Sequence, residues 1–112
     1  MKKAQEEEIL FQGVAYYNAI RSYYLMRSPH VYPSRLDDLL SDPRYLHIRH
    51  IRKLYTLFGG KAWKTIISPK GRIMGVYYDS DKRPLKRAGF EKPCQLFEQA
   101  ETYRDWKFVY TP

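Results

Sequence analysis

Between Ala4 and about Arg27 the chain has no proline, and its apolar positions recur at intervals of three and four. Leu10, Gly13, Tyr17, Ile20 and Tyr24 gather on one side of a helix turning about 100° per residue, and Ile9, Tyr16 and Tyr23 widen that side. Gln12, Ala15, Asn18, Ala19 and Ser22 fall away from it, so the pattern predicts an amphipathic helix with one face to bury. At about 1.5 Å per residue the helix is roughly 35 Å long, more than a head of this size needs to cover. Ser28-Pro29 ends it, since proline lacks a donor and disfavours helical geometry in the residue before it.

Ser34 is placed to cap a second, short helix through Arg35 to Leu40, which Asp42-Pro43 closes. A third short helix is expected from about Leu46 to Leu54, on Ile48, Ile51 and Tyr55. Beyond Gly59-Gly60 the pattern alternates instead. Ala62 to Ile67 and Arg72 to Tyr78 read as strands of a hairpin around Ser68-Pro69-Lys70-Gly71, whose proline and glycine suit a type I turn. Arg104 to Tyr110 alternates again, with Trp106, Phe108 and Tyr110 on one side and Lys107 opposite. The stretch 79–102 is irregular apart from a helical turn near Gln95 to Gln99. The expected architecture is α+β: a long N-terminal helix packed on a small antiparallel sheet, with one or two short helices between. Residues 1–112 form one domain, divided into 1–27 helix, 28–60 short helices and loops, and 61–112 antiparallel meander.

Composition narrows the function classes. With 112 residues, 44% apolar and 16% aromatic, the chain has material for one small core, and eleven tyrosines suggest a thin one with hydroxyls at its wet edge. Twenty Lys and Arg against twelve Asp and Glu leave a net charge of +8, which favours nucleic acid, anionic lipid headgroups or an acidic protein surface. One cysteine, Cys94, excludes an internal disulfide and a cysteine-cluster zinc site. No stretch approaches the roughly 20 apolar residues of a membrane span. The helical pattern begins almost at once, without a capping residue, as a helix cut from a longer one would.

Several strings resemble the pseudopilin and pilin family. Glu6-Glu7-Glu8-Ile9-Leu10-Phe11, leading into Tyr17-Asn18-Ala19-Ile20-Arg21-Ser22-Tyr23-Tyr24, is similar to the part of the family helix that follows the membrane span. Tyr32-Pro33-Ser34-Arg35-Leu36-Asp37-Asp38-Leu39 is similar to the family's YP-x-x-L-x-x-L segment. Pro84-Leu85-Lys86-Arg87-Ala88-Gly89-Phe90 and Tyr103-Arg104-Asp105-Trp106-Lys107-Phe108 look like strings of its secretion-type members. The resemblance implies a non-enzymatic structural subunit of a type II secretion or type IV pilus-like machine. It implies an inner-membrane anchor on a preceding helical half, a head in the periplasm, and other pseudopilins and secretion subunits as partners. The chain itself would then be monomeric or weakly associated. The family's Asp-Pro-x-Thr-Gly-like turn is replaced by Thr56-Leu57-Phe58-Gly59-Gly60, and its acidic calcium loop is unmatched at Asp105 to Tyr110. No metal ligand or cofactor is therefore carried over, and a minor subunit is implied. The alternative reading is a nucleic-acid-binding module or DNA-handling minor pilin.

Candidate chemistry is sparse. His47 and His50, three apart, have no Cys, Asp or Glu within their segment to complete a metal site, and His30 has no evident partner. Asp37 and Asp38 are adjacent and diverge on a helix, whereas acid and base roles need convergent carboxylates. Cys94 lacks an evident base and reads as an inert thiol. Gly59-Gly60-Lys61 lacks the Walker pattern and reads as a turn. Leu10-Phe11-Gln12-Gly13 resembles part of a viral-protease cleavage sequence but keeps the helical phase. The basic run Arg44, Arg49, Arg52 and Lys53, with Tyr45 and Tyr55, reads as a solvated face, with phosphate gripping and base stacking as the functional alternative. Lys82, Arg83, Lys86 and Arg87 form a second basic loop, with partner or lipid headgroup contact as its functional reading. Phe11 lies off the apolar side, so it either stands as an exposed aromatic near a frayed end or, in a filament, meets a second subunit's helix. Phe11, Arg83, Lys86 and Arg87 are thus the candidate partner-binding residues, with no catalytic, cofactor or metal residue.

Overall fold

The computed structural model describes residues 3–45, 48–57 and 60–112. Its elements run α1 (Lys3–Leu25), α2 (Asp37–Leu40), β1 (Lys64–Ile67), β2 (Ile73–Tyr77) and β3 (Lys107–Val109), with 3-10 turns at Gln95–Gln99 and Tyr103–Asp105. The fold is α+β: the long helix lies against a three-stranded antiparallel sheet of order β1-β2-β3. Among the described residues no helix is long and apolar enough to cross a membrane.

The helix buries Ile9, Gly13, Tyr16, Ile20 and Tyr23 of the predicted side, with the stripe turned slightly toward Gln12 and Ala19. Ile9, Gln12, Gly13, Tyr16, Ala19, Ile20 and Tyr23 are buried, whereas Leu10, Tyr17 and Tyr24 sit at the rim. Gln12 and Ala19, expected on the far side, are thus in the core. Gln12 can go inside because its amide is satisfied there: Oε1 accepts the Trp63 indole N–H at 2.8 Å, and Nε2 donates to Glu8 and to the Thr56 carbonyl. Buried positions also run from Glu6 to Tyr23, so the head covers nearly the whole helix. The expectation of surplus length is corrected accordingly.

Gly13 lets the sheet approach. A Cβ at that position would stand 2.3 Å from the Phe108 ring, which fills the space a side chain would take. Phe108 pairs with Val76 across β3 and β2, and both are buried. Residues on one face of a sheet alternate along each strand, so Val76 and Phe108 form the helix-facing layer. The opposite layer places Lys64, Tyr77 and Lys107 in one row. The hairpin forms as expected, with Gly71 N–H donating to the Ser68 carbonyl at 2.9 Å and Gly71 at φ +80°, where a side chain would be strained. Trp106, Phe108 and Tyr110 are buried and Lys107 is exposed, as the alternation predicts.

Two short helices differ from expectation. Ser34 does not cap α2; its hydroxyl donates to buried Asp38, and Leu36 stands at the cap position with no side-chain bond. No helix forms over the described part of the expected Leu46 to Leu54 segment, residues 48–54, while Leu46 and His47 lie outside the described residues. Its backbone bonds elsewhere: His50 and Ile51 N–H groups both donate to the Leu39 carbonyl, and Ile48 accepts from Asp42. Several tyrosine hydroxyls are also interior rather than wet. Tyr16 OH donates to the Tyr55 carbonyl and accepts the Tyr55 N–H, each at 2.8 Å.

Candidate interaction surfaces

A buried carboxylate organises the first surface. Glu6, in the first turn of α1, accepts from Leu85 N–H at 2.6 Å, from Lys86 N–H at 3.1 Å and from the Tyr103 hydroxyl at 2.8 Å. Burial, then the Glu6 carboxylate, raise the Tyr103 phenol pKa, which keeps it a donor. The same loop is held at its start, where the Lys82 and Ser80 carbonyls accept from Tyr103 and Arg104. The side chains of this pinned loop nevertheless face solvent. Lys82, Arg83, Lys86 and Arg87 are exposed, and Leu85 is 54% exposed among them.

Phe11 marks a second surface. It is 58% exposed, touches Tyr55 edge-on, and lines an open apolar groove with Leu10, Val14, Ala15 and Asn18. Leu10 and Val14 also line a cleft with Lys86 and Phe90, so the groove and the basic loop adjoin. Of the four candidate partner-binding residues, Phe11 and Lys86 thus lie beside the N-terminal half of α1, while Arg83 and Arg87 are exposed in the same loop as Lys86.

One cluster was not legible in the sequence. Asp42, wholly buried, accepts from Arg44 Nε and Nη2 at 2.9 and 2.8 Å and from His50 Nε2 at 2.8 Å. A carboxylate only accepts, so Nε2 carries a proton, and His50 Nδ1 lies 2.8 Å from the Ser22 hydroxyl. Burial would raise the Asp42 pKa, but the hydrogen bonds from Arg44 and His50 outweigh it and hold the carboxyl well below the usual range. Arg44 also donates to the Tyr23 carbonyl and lies 3.8 Å over the Tyr23 ring. Serine, histidine and aspartate thus converge, which the sequence reading had not foreseen. Their setting suits structure rather than acyl transfer: the His50 side chain is 1% exposed, Arg44 engages Asp42, and Ser22 lies within α1, whose amides are used by the helix rather than free for an oxyanion.

The remaining candidates separate. Cys94 is buried, and burial pushes its thiol up to about 11. Asp38 is buried against Ser34 and Asp37 is exposed. His30 stacks on Tyr24 and bonds the Tyr24 and Arg27 carbonyls, beside a cavity of about 260 Å³ that Tyr32, Lys70 and Arg72 also line. Among the described residues no group of three or more His, Cys, Asp or Glu is placed to hold a metal ion, and His47 lies outside them. Arg49, Arg52 and Lys53 remain exposed, whereas Arg44 is withdrawn into the Asp42 cluster. No family model matches the chain, and no curated protein or solved structure similar to it was found.

Proposed function

We propose that the chain is the pilin-like head of a minor pseudopilin, a non-enzymatic structural subunit of a type II secretion or type IV pilus-like assembly. Its partners would be other pseudopilins, and its anchor a preceding membrane helix in the bacterial inner membrane with the head in the periplasm. One observation carries the reading: a long helix packed along its inner side on an antiparallel sheet, with the Phe11 groove left open on its outer side. A groove of that kind suits the side of a neighbouring helix, because burying an exposed phenylalanine favours association by about 1.5–3 kcal/mol. The family resemblance of the sequence supports the same assignment.

Cysteine pairs placed at Phe11 and Ala15 in the native gene product should cross-link subunits in the assembling cell, and Phe11→Arg should abolish both cross-linking and secretion while the head still folds. Normal secretion with Phe11→Arg would overturn the proposal. Exposed Arg49, Arg52 and Lys53 favour nucleic-acid binding as a second reading, which strongly salt-dependent retention of DNA would support.

A further inference from the structure

We propose that residues 82–92, pinned by Glu6, form a contact for the anionic headgroups of a membrane surface. This deepens the subunit reading and rests on it only for which membrane the head stands beside.

The charge of the molecule is concentrated here. Residues 82–92 hold five cations, Lys82, Arg83, Lys86, Arg87 and Lys92, and one acid, Glu91, in a chain of net charge +8. None of the five is ion-paired among the described residues, whereas Arg44 is neutralised by Asp42 and Arg104 by Asp79. The acids near the loop do not cancel it. Glu6 is buried and occupied by its donors, Glu98 accepts the Gly89 N–H, Asp79 pairs with Arg104, and the exposed acids Glu7, Asp81 and Glu91 are outnumbered by the five cations. A patch of this sign favours an anionic occupant.

The form of the patch selects a bilayer over nucleic acid. Leu85 stands exposed between the cations, where it can enter the boundary between headgroups and acyl chains while they bind phosphates. Binding a single nucleic-acid strand calls instead for an open aromatic face. The aromatic of this loop, Phe90, is spent inward, edge-on to Phe97 and Trp106, with Lys86 over its ring. The backbone is also held before any ligand arrives. Because Leu85 and Lys86 N–H groups are bonded to Glu6, presenting this surface costs little ordering entropy. The half-buried Leu10 and Val14 side of α1 adjoins the patch and continues its apolar strip.

The test is co-sedimentation of the chain with phosphatidylglycerol vesicles, with phosphatidylcholine vesicles as the neutral control. Binding should be specific to the anionic vesicles and weaken with salt. The triple variant Arg83→Gln, Lys86→Gln, Arg87→Gln should lower the partition coefficient about a hundredfold, at about 1 kcal/mol per cation. Leu85→Ser should lower it by a smaller factor without changing the salt dependence, and Arg49→Gln with Arg52→Gln should leave it unchanged. Circular dichroism melts check that each variant folds. Equal binding by the triple variant, equal partition into both vesicle types, or a preference for an oligonucleotide lost in the same triple variant would each overturn the inference. Lost vesicle binding with intact subunit cross-links would sink the lipid contact alone, and the reverse result would sink the subunit reading alone.

Discussion

Glu6 is a surface residue by type and a core residue by position. Its two oxygens serve donors from residues 79 to 97 positions away, so one side chain ties the irregular 79–102 stretch to α1. Glu6→Gln would put an NH2 group where only acceptors are useful, at a cost of about 1–3 kcal/mol for the donors left unpaired. Hydrogen exchange should then speed at the Leu85 and Lys86 amides well before it changes in β2; unchanged protection at those amides would refute the clamp. Cys94 supplies a second test at this scale. With its thiol pushed up to about 11 by burial, it should resist iodoacetamide at neutral pH and react at the ordinary rate only in denaturant. Neither role was legible beforehand in full. The inert thiol could be read from the missing base, but three glutamates in a row give no sign of which one turns inward.

At the scale of elements, the helix and sheet meet through one absent side chain. Alanine at Gly13 would raise helix propensity by about 1 kcal/mol, yet its Cβ would overlap the Phe108 ring, and overpacking costs roughly 1–3 kcal/mol. Phe108 has little room to yield, since Trp63 and Phe97 pack edge-on against it. Gly13→Ala should therefore lower the thermal midpoint, and Phe108→Leu should cost less in the Gly13→Ala background than in the wild type. A higher midpoint for Gly13→Ala would show that the ring moves freely. The existence and order of α1 and the three strands were legible because their periods differ and turn residues bound them. The burial phase of α1 was legible in part, since Ile9, Gly13, Tyr16, Ile20 and Tyr23 lie on the predicted side and are buried. Apolar spacing weights Leu10 and Tyr17, whereas the fold buries Gln12, whose polarity is cancelled by Trp63 at 51 positions' separation. Over residues 48–54 the expected helix does not form for the same reason, as the Leu39 carbonyl takes two amides that a local helix would have used.

Over the whole molecule, the Asp42 cluster is the link between the end of α1 and the middle segment. Asp42 connects Arg44, which holds the Tyr23 carbonyl, with His50, which meets Ser22, so three stretches of chain, at 22–23, 42–44 and 50, are joined through one carboxylate. The carboxyl pKa is lower folded than unfolded, because the hydrogen bonds from Arg44 and His50 outweigh the opposing effect of burial. Between the two values the unfolded chain binds more protons, so stability rises with pH there. The Asp42 contribution is therefore complete above about pH 5, declines as pH falls through the ordinary carboxylate range, and is gone only below the depressed folded value. Asp42→Asn keeps the shape but leaves Arg44 unpaired in a nearly buried site, which should cost roughly 3–5 kcal/mol at neutral pH. Asp79, whose pKa is lowered by its hydrogen bond from Arg104, adds its own acid dependence, so the slope of one protein alone does not isolate this cluster. The difference between wild type and Asp42→Asn does: in urea melts it should be constant from about pH 7 to 5 and shrink steadily at lower pH. A gap that stays level from neutral pH to about pH 2 would mean that the carboxylate's charge contributes nothing and that Asp42 serves by shape alone.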